Sequence, residues 1–167
     1  MNKKLITLIT LVAGVAGFLC WWFSDSQVLA RRSSALIECI ELEPNTSRVQ
    51  RAFKAENLRD LVAEDITVVY PEMESTFQHS RATSEPIFLS RNLAKSALLY
   101  LTETSEFITV SGQSVEVSES TDTTAQVHVS FDLAAKLKGK PEQSAKLKGV
   151  FTFEKIEGKW LITGVNF

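Results

Sequence analysis

Nineteen consecutive residues, Leu5 to Phe23, carry no charge, and they follow the polar start Met1-Asn2-Lys3-Lys4. Wound into a helix at about 1.5 Å per residue, such a run nearly matches the roughly 30 Å hydrocarbon layer of a bilayer. It ends in Trp21, Trp22 and Phe23, aromatics of the kind that settle at the membrane–water boundary. The pattern predicts a membrane-spanning helix here, followed by a chain polar enough to fold in water.

Beyond this run apolar residues recur at helical spacing. Leu29, Leu36, Ile37 and Ile40 share a stripe, which predicts a helix from Ser26 to about Leu42, capped by Ser24 or Ser26 and ended by Pro44. Asn45, Thr46 and Ser47 offer caps for a short second helix containing Val49, Ala52 and Phe53. Asn57 reads as the cap of a third, with Asp60 near its N-terminus and Leu58, Leu61 and Val62 on its apolar side. Ile66 to Tyr70 has strand composition. Pro71 to Pro86 shows no period and reads as a loop or weak hairpin. Ile87 to about Thr102 returns to helical spacing through Leu89, Leu93, Ala97 and Leu101.

The rest alternates. Ile108 and Val110 change parity with Val115 and Val117 around Gly112, which predicts a bulge there. Ala125, Val127, Val129, Phe131 and Leu133 alternate with polar residues, and Ala145, Leu147, Phe151 and Phe153 follow. Glu157-Gly158 predicts a tight turn, and Trp160 to Phe167 a closing strand. The pentapeptide Ala135-Lys136-Leu137-Lys138-Gly139 recurs as Ala145-Lys146-Leu147-Lys148-Gly149 and reads as two arms of one hairpin, with Gly139, Lys140 and Pro141 near its tip. Helices, a strand, a helix and four antiparallel strands predict an α+β layer with helices on one face of a curved sheet.

Composition narrows the function classes. The chain has 18 basic and 20 acidic residues; without Lys3 and Lys4 the balance is 16 against 20. That mild acidity argues against a nucleic-acid binder. Cys20 falls in the apolar run and Cys39 is the single cysteine after it, so no internal disulfide staples the domain. Cys39 sits among Ile37, Ile40 and Leu42 and reads as a small buried residue. A cleaved signal peptide would have a shorter core: the small-residue stretch Val28-Leu29-Ala30 lies past three bulky aromatics, and Leu19 spoils a lipoprotein site at Cys20. An uncleaved anchor is expected. Lys3 and Lys4 favour a cytoplasmic N-terminus, although Arg31 and Arg32 pull the other way. The domain is expected outside the cytoplasm, in a periplasm if the cell is bacterial.

Two stretches carry a resemblance. Asn57-Leu58-Arg59-Asp60-Leu61-Val62-Ala63-Glu64-Asp65-Ile66-Thr67-Val68, followed by Pro71, and Val150-Phe151-Thr152-Phe153-Glu154 followed by Glu157-Gly158-Lys159-Trp160-Leu161-Ile162-Thr163-Gly164-Val165-Asn166-Phe167 resemble the NTF2-like (SnoaL-like) superfamily in order and spacing. The resemblance implies a cone: a curved, mainly antiparallel sheet around a pocket closed by N-terminal helices. Residues 1–25 would be the anchor and residues 26–167 the cone. Family members include isomerases, dehydratases, cyclases and non-catalytic binding or assembly modules, so the resemblance implies a fold and no single activity.

Candidate chemistry is sparse. His128, Ser130 and Asp132 share one strand face, and a His beside a carboxylate suits acid–base work. The opposite face is apolar, so the trio reads more simply as solvent-facing. His79 has Glu72, Glu74 and Glu85 nearby in sequence, without metal-ligand spacing. Asp65 and Tyr70 flank the first strand, near where the resemblance places pocket residues; proton abstraction beside a carbonyl needs a carboxylate and a hydrogen-bond donor of those types. Trp160 lines a pocket or packs the core. Lys136, Lys138, Lys140, Lys146 and Lys148 cluster on the hairpin arms, where they offer contact to anionic headgroups or an acidic partner, or protect strand edges. No phosphate loop, zinc pattern or nucleophile elbow is present, and neither cofactor nor metal is expected. The reading is a membrane-anchored binding or assembly module without catalysis. A small pocket enzyme with isomerase- or dehydratase-like acid–base chemistry, and a structural subunit of an envelope complex, are the alternatives. Expected partners are the membrane through Leu5-Phe23, a second copy or an envelope complex, and a small apolar ligand, with no nucleic acid.

Overall fold

The computed structural model describes residues 3–69 and 86–167, with side chains from Leu11 onward except that of Ala16. Four helices and six strands follow one another as α1 (Lys3–Trp22), α2 (Asp25–Ile40), α3 (Arg48–Leu61), β1 (Val62–Val69), β2 (Ile87–Ser90), α4 (Arg91–Thr104), β3 (Ser105–Ser120), β4 (Thr124–Leu137), β5 (Gln143–Ile156) and β6 (Lys159–Asn166). The strands form one curved, mixed sheet in the order β2-β1-β6-β5-β4-β3. The four strands from β3 to β6 run antiparallel in sequence order, and β1 joins β6 in parallel.

Three sequence expectations change. Val49, Ala52, Phe53 and Asn57 lie in one helix, α3, instead of two. Ser47 starts it with a reciprocal capping box to Gln50, and no glycine or proline interrupts it before Leu61, so the caps that Asn57 could offer go unused. Ile87–Ser90 is a strand, not the first turn of the next helix: Ile87 pairs with Val68 and Leu89 with Ile66. Ser90 then caps α4 by accepting the Leu93 amide at 3.3 Å. The first strand is also longer than its composition suggests, beginning at Val62 directly from α3. The bulge falls where the parity changed, with a register shift between Ser111 and Ser114 and Gly112 at φ 62°. Glu157 (φ 50°) and Gly158 (φ 78°) turn the β5–β6 hairpin, as a two-residue turn with both centres left-handed requires. The polar segment containing Tyr70, Glu72, Glu74, His79 and Glu85 lies outside the described residues.

The core lies between the inner sheet face and the helices. Val127, Val129 and Phe131 of β4, Phe151 and Phe153 of β5 and Ile162 of β6 are buried against Leu29, Leu36 and Ile37 of α2, with Leu58 and Leu98 from the other two helices. Two main-chain bonds between Leu42 and Ile108 (2.8 and 2.9 Å) tie the end of α2 to β3.

A helix leaves its last carbonyls unpaired and its C-terminus partly negative. Here each helix end receives a cation from outside its own last turn. Arg31 Nη2 donates to the Trp22 carbonyl of α1 at 2.7 Å, and Lys54 Nζ to Glu38 and Glu41 at the end of α2. Arg32 reaches Asp60 of α3. Arg51 and Lys138 reach Thr102 and Glu103 of α4.

Among the described residues no helix is long and apolar enough to cross a membrane. The described side chains of α1 start at Leu11, so they cover only part of the roughly 20 residues that a span needs.

Candidate functional site

The interior of the cone is apolar. Phe167 turns inward across Gly149 and meets Phe131 and Phe151 edge-on, at centroid distances of 6.0 and 6.1 Å. Glycine is required at 149 because a Cβ there would stand 2.4 Å from the Asn166 carbonyl oxygen and 2.6 Å from the Phe167 ring. Among the described residues three polar side chains are buried, Ser33, Thr102 and Ser105; the hydroxyls of the last two donate to the Leu99 and Leu101 carbonyls. Ser33, on the buried stripe of α2 between Leu29 and Ile37, is 0% exposed, and its Oγ has no hydrogen-bond partner. A buried hydroxyl left unpaired is costly and points to strain or a missing polar neighbour. The stripe Leu29-Ser33-Ile37 carries that signal in sequence, as one serine where helical spacing calls for an apolar residue.

Trp160 is 2% exposed and belongs to this core. Its indole Nε1 donates to Asp25 Oδ1 at 2.8 Å. Lys155 Nζ lies 3.3 Å from both carboxylate oxygens of Asp25 and 5.1 Å from the Trp160 ring centroid. The carboxylate thus sits at the N-terminus of α2, where the helix dipole favours negative charge. The Trp160 hydrogen bond, with Lys155 assisting, holds the Asp25 carboxyl below its ordinary value of 3.8 against a smaller opposing effect of burial. A carboxyl whose folded-state value is lowered contributes stability above its unfolded value, and loses that contribution as the pH falls through the folded one. Asp25→Asn is therefore expected to be less stable than the wild type near pH 7, with the gap narrowing as the pH falls below the ordinary carboxylate value. Thermal melts of both chains across pH 7 to 2 check this; a gap that stays constant with pH would reject it.

The other sequence candidates are dispersed. Asp65 is exposed on β1 and lines a groove of about 630 Å³ on the outer sheet face, with Thr67, Thr152, Glu154 and Thr163. Tyr70, expected beside it, is outside the described residues. His128 and Asp132 are exposed on the outer face of β4, four residues and thus roughly 13 Å apart. His128 stands opposite Glu116 and Val150, and Asp132 opposite Lys146. The hairpin lysines do not converge. Lys136 pairs with Glu106 at 2.7 Å and Lys138 serves the end of α4, while Lys146 lies 4.0 Å from Asp132. Lys140 and Lys148 are exposed. Cys39 is buried, and burial pushes its thiol up, away from the thiolate a nucleophile needs. Among the described residues no three His, Cys, Asp or Glu side chains converge as a metal site. Sequence reasoning missed Asp25 and Lys155, because their relation to Trp160 is set by tertiary packing and has no local pattern.

This arrangement of helices on a cone-shaped sheet is the NTF2-like fold. A candidate scytalone dehydratase from Novosphingobium aromaticivorans superposes with a TM-score of 0.60 at 15% identity, over 84% of this chain and 80% of that one. A ketosteroid isomerase-like protein from Erwinia carotovora atroseptica gives 0.59 at 14% identity, over 86% and 95%. An NTF2-like superfamily protein from Salmonella enterica gives 0.58 at 10% identity, over 84% and 87%. No protein-family model matches the sequence, and no curated protein matches it. At these identities the likeness concerns the fold alone.

Proposed function

We propose that the chain is a membrane-anchored NTF2-like module that binds or assembles rather than catalyses, with its N-terminus cytoplasmic and its domain outside the cytoplasm. The observation that carries this reading is the contrast between α1 and the cone. The twenty-residue α1 has only Lys3 and Lys4 as charges. Its described large apolar side chains, Leu11, Val12, Val15, Phe18 and Leu19, are all exposed, a state that lipid would relieve. The inward sheet face, where a family enzyme would work, carries aliphatic and phenyl groups. A small apolar ligand, a second copy or an envelope complex are the partners this chemistry suits.

The test is fractionation of the full chain. It is expected to stay with membranes through a high-salt wash, and Val12→Lys, which places a charge midway along α1, is expected to shift it toward the soluble fraction. A full chain that is soluble without detergent would sink the anchor. A pocket enzyme of dehydratase or isomerase type is the second reading, favoured by the unpaired Ser33 hydroxyl in an apolar interior. Turnover of a carbonyl substrate that Ser33→Ala abolishes would move the assignment there.

A further inference from the structure

The junction between α1 and α2 is built as a locked elbow. Trp22 and Arg31 are nine residues apart, which along one continuous helix is about 13.5 Å, farther than an arginine side chain extends. Arg31 nevertheless donates to the Trp22 carbonyl at 2.7 Å, and its guanidinium lies 4.4 Å from the Trp22 ring centroid. The helix axis therefore bends at Phe23 and Ser24, where Ser24 Oγ also donates to the Trp21 carbonyl at 2.7 Å. On the far side of the bend, Asp25 grips Lys155 and Trp160. These residues flank the β5–β6 turn, and the β3–β4 turn lies beside it through the Lys155 amide and the Thr123 carbonyl. Three residues thus separate the aromatic end of α1 from the tip of the sheet.

Resting on the anchored reading above, we propose that this elbow seats the domain on the bilayer with the β5–β6 turn as a second lipid contact. Ile156, exposed at the turn with Lys155 and Lys159 on either side, is its apolar point. Glu157 and Asp122, in the two turns, share this end of the sheet with the lysines. The interfacial zone on each side of the hydrocarbon is about 5–8 Å deep, a depth that a turn held against Asp25 can reach. The opposite end of β5 is some 43 Å away at about 3.3 Å per residue. In this seating Lys136, Lys138 and Lys140 stand toward the far end of the sheet, away from the lipid contact.

The experiment uses the full chain with Cys20→Ser and Cys39→Ala, labelled with an environment-sensitive fluorophore at Ile156→Cys or Lys140→Cys, in phosphatidylcholine vesicles with doxyl-phosphatidylcholine as quencher. Quenching is expected to be at least threefold stronger at 156 than at 140, and Arg31→Gln is expected to reduce it at 156 while the chain still floats with vesicles. Equal quenching at both positions in floating chain would overturn the seated orientation and leave the anchor standing. Chain that does not float would overturn the anchor, and this inference with it.

Discussion

Phe151→Ala is expected to cost about 3–5 kcal/mol of folding stability, the range for removing a fully buried phenyl ring. Phe151 is 1% exposed. It pairs with Val127 on β4 and Val165 on β6, strands whose backbones are held by the sheet ladder and cannot close over the gap. It is also one of two rings against which Phe167 packs edge-on, so the substitution loosens the closing residue as well. For a domain of this size the midpoint would fall by roughly 6–20 °C, measurable by circular dichroism melts and urea titration. A loss under about 1 kcal/mol would mean that the interior is loosely filled. That outcome would favour a ligand pocket and weaken the reading of a packed, non-catalytic cone.

Gly149→Ala is expected to cost about 2–3 kcal/mol by crowding. The obstacle is the backbone oxygen of Asn166 as well as the Phe167 ring. The ring can swing aside; the oxygen belongs to β6 and moves only if the β5–β6 ladder shifts. Gly17→Ala is the control, since nothing lies within 4 Å of a Cβ there, and its folded domain should melt with the wild type. If Gly149→Ala melted with the control, Phe167 would not occupy the cone as described.

Much of the architecture is legible in the sequence because strands with one wet face declare themselves. The alternation from Ala125 to Leu133 fixes β4, its inner face and, by exclusion, the outward stance of His128 and Asp132. Gly112 and Gly158 are legible for a different reason: their left-handed backbones favour glycine. Two elements escape. Asn57 is a good cap in isolation, but no glycine or proline interrupts the helix between Ser47 and Leu61, so the better cap upstream wins. Ile87–Ser90 is four residues, too short for periodicity to separate a strand from a first helical turn; pairing with β1 decides it. The site is less legible than the fold. Asp25 and Trp160 are 135 residues apart, and nothing local to either predicts the bond between them. The fold family supplies an expected pocket location, yet the side chains there must be read one at a time.

The borrowed cations at the helix ends bear on how the molecule comes apart. A helix that ends on its own last-turn lysine can fray alone. Here α2 cannot unwind its final carbonyls without releasing Lys54 from α3, nor α3 without Arg32 from α2, nor α4 without Arg51 and the hairpin's Lys138. Local opening is thereby coupled across elements, and melting is driven toward a single all-or-none event.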